Sequence, residues 1–200
     1  RAMRTFPKSR IDALTDGIFA FAMTLLVLDI RLPSDMPIHD GGELLAALRA
    51  LEPQYIAYLI SFFVLAAQWR ARIDLRRLEE VSERTLGWSL VYLFLITSVP
   101  FSTNMVGRYG HLAPAIWLYA ANLVAVAVLS LYLRTQEIVP EHRRRARFGH
   151  ARLVFFVGTA ALSVLIGQVA PRYAMYAYLL NIFAGPLAEM KYPTTSTDQP

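Results

Sequence analysis

The sequence predicts an all-α membrane protein with six transmembrane helices, and three observations carry that expectation. Hydrophobic residues make up 56% of the 200 residues and charged residues only 18%, too apolar a balance for an ordinary soluble domain. The apolar residues gather into six stretches free of Asp, Glu, Lys and Arg. Sixteen of the 20 Lys and Arg residues fall on one side of the membrane that those stretches imply.

A spanning helix needs about 20 mostly apolar residues to cross about 30 Å of hydrocarbon. The six uncharged stretches are 17–28, 53–69, 85–107, 109–133, 153–171 and 173–188. The third and fourth are long enough alone, while the second, fifth and sixth draw on flanking interfacial residues. The first needs the longer segment 11–30, which carries acids. Six crossings put both termini on one face, and the Lys/Arg bias makes that face cytoplasmic. The chain then divides into a basic cytoplasmic arm (1–10), a six-helix domain (11–188) and a polar cytoplasmic tail (189–200). The arm, RAMRTFPKSR, is too poor in apolar residues to be a signal peptide. The tail, rich in Pro and Thr, is expected to be disordered. The net charge of +5 sits in loops such as HRRRARFGHAR, which suit an anionic lipid surface rather than nucleic acid. The outer loop 32–52 contains Asp35, Asp40, Glu43 and Glu52. It contains GGELLAALRAL, whose helical apolar spacing fits a surface-lying helix. Its acids serve either plain solubility or the gathering of cations.

The first helix is the unusual one. It contains Asp12, Asp16 and Asp29, and the last two are separated by about 18 Å of helix. At least one carboxylate therefore approaches hydrocarbon depth, where acids face protein or water rather than lipid. On a helical wheel, Arg10, Leu14, Gly17, Phe21, Thr24, Leu25 and Leu28 share one stripe, whereas Asp16 and Val27 lie well away from it. By periodicity alone, a packing face within the protomer is the simpler reading of that stripe.

The segment Arg10 to Ile30, RIDALTDGIFAFAMTLLVLDI, resembles the first helix of the transmembrane protein 175 family, typified by a lysosomal potassium channel. The family motif is Arg-x-x-x-Phe-Ser-Asp. Arg10 and Asp16 match it, while Leu14 and Thr15 replace Phe and Ser. The likeness continues through Tyr58-Leu59-Ile60-Ser61-Phe62 and Trp69, then Ser98-Val99-Pro100-Phe101-Ser102-Thr103, and covers about 10–187. The resemblance implies a homotetramer in the cell membrane, a passive potassium conductance, and a non-canonical cation pore lined by the first helix. It also implies a hydrophobic constriction at Phe21, Leu25 and Leu28, where the family usually has Ile in place of Phe21. A His that bacterial members often carry after the Trp is replaced by Arg70-Ala71-Arg72.

No TVGYG filter occurs, so selectivity and gating are expected from apolar rings that make ion dehydration costly. Thr24 offers a hydroxyl to a partly dehydrated monovalent cation, or else bonds back to its own helix. Arg10 and Asp16 are expected to be structural, with Arg10 turned aside to a carboxylate. Asn122, Asn181 and Gln168 suit bonds between helices, and Trp69, Trp88 and Trp117 suit interfacial belts. The sequence contains no cysteine and no nucleophile–base, metal-ligand or phosphate-loop motif, so neither enzyme activity nor a cofactor is expected. The alternatives are a secondary transporter, disfavoured by the absence of an obvious inverted repeat, and a non-conducting scaffold.

Overall fold

The computed structural model describes residues 5–32, 37–73, 80–137 and 143–183. Its helices are α1 (Lys8–Leu28), α2 (Gly41–Ala50), α3 (Glu52–Ile73), α4 (Glu83–Tyr109), α5 (Ala113–Glu137) and α6 (Arg143–Val169), followed by a 3₁₀ helix, Pro171–Phe183. Four of them, α1, α3, α4 and α5, are long and apolar enough to cross a membrane. The described apolar stretch of α6, Val154–Val169, is shorter, and the described part of the predicted sixth span, through Phe183, winds as 3₁₀ rather than α. The predicted disordered tail lies outside the described residues.

Local chemistry places the ends. The Ser82 hydroxyl accepts from the Thr85 amide at 3.2 Å, with Glu83 in the first turn of α4, so both the unpaired amides and the helix dipole are answered. Asp40 caps α2 by accepting from the Glu43 amide at 2.8 Å, while the Glu43 carboxylate accepts from the His39 amide at 2.7 Å. This reciprocal pair explains why GGELLAALRA starts where it does. The predicted fourth span begins later than expected. Tyr109 belongs to α4, and a turn at Gly110–Leu112 precedes α5. Pro100 lies within α4, which continues to Tyr109.

The basic arm is partly structured. Strand β1 (Thr5–Pro7) pairs antiparallel with β2 (Glu80–Ser82), with Phe6 opposite Val81. Each strand runs straight into a helix, β1 into α1 and β2 into α4. Lys8, expected in a solvated arm, is buried.

Helix α4 is the hub, packed on α1, α3 and α5, while α6 packs on α5 and the 3₁₀ helix. The core holds Phe19, Leu26, Leu65, Tyr92, Ile96, Val99, Leu123 and Val126. At the α3–α4–α5 crossing it is polar. Thr103 Oγ1 lies 2.8 Å from both the Ser61 oxygen and the Val99 carbonyl, and Ser61 lies 2.9 Å from the Tyr119 hydroxyl. One consistent proton order runs Tyr119 to Ser61 to Thr103 to the Val99 carbonyl, using each hydroxyl proton once. Asn122 donates to Ser102 at 3.1 Å and Asn181 to Thr159 at 2.9 Å, as expected of amides between helices. Gln168 is exposed. Tyr119→Phe removes one end of the hydroxyl chain and is expected to cost about 1 kcal/mol. Thermal unfolding in detergent checks this, and an unchanged midpoint would show the bond to be energetically idle.

Candidate functional site

The candidate site is the side of α1 that the protomer leaves uncovered. Lys8, Ile11, Thr15, Phe19, Ala22 and Leu26 are buried, at helical spacing, against α4 and α3. The Phe19 ring sits 6.2 Å from that of Tyr92. Opposite them, Arg10, Leu14, Gly17, Phe21, Thr24 and Leu28 are exposed. Phe21 is the most open of the large apolar residues on this face at 64%, with Leu28 at 52% and Leu14 at 46%. Leu25 is half-buried at one edge.

The structure thus brings six of the seven predicted stripe residues onto one open face. The arc is broader than predicted and centred closer to Gly17 and Thr24. It reaches Val27, which is 48% exposed although predicted to lie away from the stripe. The shift arises because helix–helix contact is made by the Phe19–Ala22–Leu26 side, and everything opposite that contact is left open. The Thr24 hydroxyl donates to the Phe21 carbonyl at 2.8 Å. That is the back-bond, and it leaves the hydroxyl oxygen's lone pairs on the exposed side. Thr15 makes the equivalent bond to the Ile11 carbonyl at 2.8 Å but faces the core.

Asp16 stands off the open face. Its carboxylate accepts from the Trp69 indole N–H at 2.9 Å, tying the first half of α1 to the last turns of α3. Arg10 is exposed. The predicted Asp16 and Trp69 are therefore brought together, while Arg10 lies on the other face with Phe21.

Sequence reasoning missed other ties at this end of the bundle. Arg72 is buried, with its guanidinium 5.6 Å from the Tyr92 ring centroid. Arg134 donates to the Ala71 carbonyl at 2.7 Å, joining α5 to α3. Both looked like solvated loop cations. Their only signal was a position in the last turn of an apolar helix, where a basic side chain complements the carbonyl end. Among the described residues no cluster of His, Cys, Asp and Glu is arranged to hold a metal ion.

Residues 10–100 match the family model described as endosomal/lysosomal potassium channel TMEM175. A protein from Chamaesiphon minutus named a potassium channel is 34% identical over 127 residues, covering 60% of this chain and 61% of that protein. A rat protein named endosomal/lysosomal proton channel TMEM175 is 36% identical over 110 residues, covering 52% of this chain and 22% of that protein. The chain thus spans about three fifths of the bacterial relative. The fold matches a crystal structure of a lysosomal potassium-selective channel TMEM175 homologue from Chamaesiphon minutus. The TM-score is 0.76 at 25% identity, covering 90% of this chain and 97% of that one.

Proposed function

We propose, from the premise that this chain belongs through residues 10–100 to the TMEM175 family, that it forms a potassium-permeable pore in the membrane. The observation that carries the proposal is the uncovered face of α1. A helix apolar enough to span the membrane, with an arginine and a threonine on its open side, is poorly suited to lipid. Surrounding it with copies of itself answers that mismatch. A homotetramer places four such faces around one axis and closes under cyclic symmetry.

In that assembly Phe21 forms the narrowest apolar ring, with Leu28 beyond it and Leu25 supporting it from the edge. Ions are held back because an apolar ring offers nothing in exchange for hydration water, and a narrow one dewets. The lone pairs of Thr24 lie between the rings by sequence and meet a cation that has shed part of its shell. Asp16, Trp69 and Thr15 hold α1 in place and do not conduct, while Leu14 shares the open face with Phe21. The 3₁₀ helix, at about 2.0 Å rise per residue, covers about 26 Å. With α6 it completes a six-span protomer whose termini share the cytoplasmic face. No catalytic step and no cofactor enter this function; potassium is the cargo.

Two measurements test it. The detergent-solubilised protein is expected to have the mass of four chains, and a monomer would remove the axial pore. Proteoliposomes are expected to show fast passive potassium flux exceeding sodium flux. Saturable flux would indicate a transporter, and no flux a scaffold.

A further inference from the structure

We propose that the cleft where the C-terminal ends of α1 and α4 meet the first turns of α3 binds a primary ammonium group carried on an anion, a zwitterion of the phosphoethanolamine type. This site is separate from the α1 face and does not depend on conduction. The cleft, about 220 Å³ with its open mouth counted, is lined by Asp29, Gln54, Tyr58, Asn104 and Arg108 among others.

Three features of the cleft call for a small cation with an anion attached. First, the Gln54 amide oxygen is buried and accepts no hydrogen bond. A buried acceptor of that kind requires a donor. Its enclosure is a consequence of packing at Gly107, where a Cβ would lie 3.3 Å from Gln54 Cα, so the α4 backbone closes directly over α3.

Second, Asp29 is the C-cap of α1. A carboxylate there faces the negative end of the helix dipole, and no described residue forms an ion pair with it. A bound cation would answer the carboxylate, whereas the last carbonyls are already met: Arg31 Nε donates to the Leu28 carbonyl at 2.6 Å and the Ile30 amide to the Val27 carbonyl at 3.2 Å. Third, Arg108 lines the same cleft but does not pair with Asp29. Opposite charges that share a cleft without touching match a ligand carrying both signs, ammonium toward Asp29 and Gln54 and phosphate toward Arg108.

Size narrows the class. The enclosed part holds roughly one water-sized group, which admits a primary ammonium and excludes a trimethylammonium. The cleft lies at the ends of α1 and α4, both long and apolar enough to cross a membrane, so the zwitterion comes either from an ethanolamine lipid or from free solute.

Native mass spectrometry of the purified protein, with chain-matched phosphatidylethanolamine or phosphatidylcholine, tests the lipid source. Thermal unfolding with soluble phosphoethanolamine tests the free one. Wild type is expected to retain the ethanolamine lipid about tenfold over the choline lipid. Asp29→Asn and Gln54→Leu are each expected to lose about tenfold in retention, as for one charged hydrogen bond. If the soluble zwitterion alone raises the unfolding temperature, and Asp29→Asn abolishes the rise, the site stands and its ligand is free solute. Equal retention of both lipids with no effect of the solute overturns the proposal. So does an ethanolamine preference that survives both substitutions.

Discussion

Phe21→Ala is expected to raise potassium flux about tenfold and to weaken discrimination against sodium. Phe21 is 64% exposed in the protomer although it sits near the middle of a spanning helix. Its ring is not needed to fill the core, because Phe19, Ala22 and Leu26 do that on the other side. In the proposed tetramer, four such rings close the path, and truncation widens and wets it. A tenfold rise corresponds to about 1.4 kcal/mol removed from the dehydration barrier. Leu25→Ala is expected to act in the same direction but less, because Leu25 is half-buried at the edge of the face. Phe63, 67% exposed on α3, is the matched control. Its removal takes away an equally exposed ring from a different helix and is expected to leave flux unchanged. Flux in proteoliposomes, normalised to intact oligomer, is the measurement. An unchanged or reduced rate in Phe21→Ala takes Phe21 out of the barrier. A large loss of stability without added flux, about 3–5 kcal/mol, would mean the ring packs between neighbouring helices instead.

The second large effect is expected at Asp16, on stability rather than permeation. Asp16→Ala leaves the Trp69 indole N–H without its acceptor and unties α1 from α3. Hydrogen bonds to a charged group contribute about 1.5–3 kcal/mol, and the half-exposed setting of this one favours the lower part of that range. A lower unfolding temperature and a smaller yield of intact oligomer are expected. Trp69→Phe should cost less, and the double substitution should cost less than the two singles together, since both remove one bond. Additive losses would show that the indole bond is not what Asp16 contributes. A stable Asp16→Ala oligomer with altered ion selectivity would place the carboxylate in the conduction path.

Much of the fold and of the site was legible in the residues themselves. Uncharged runs at 85–107 and 109–133 mark helices that need no partner to be recognised, because hydrocarbon demands an internally bonded, apolar backbone segment. The open face of α1 was legible for a related reason. Residues at helical spacing share a side whatever surrounds them, so Leu14, Gly17, Phe21 and Leu28 had to stay together. Periodicity could not say which side of α1 its neighbours would take, and it misplaced Val27 for that reason. The tertiary structure decided that Phe19, Ala22 and Leu26 meet α4 and α3. It decided that Asp16 finds Trp69, 53 residues away. It also decided that Arg72 and Lys8 are buried, that Thr5–Pro7 finds Glu80–Ser82, and that three hydroxyls line up between α3, α4 and α5. Each of these joins side chains or strands far apart in the chain. Local pattern determines which residues of one helix lie together, while the partner across the gap is chosen only when whole helices pack.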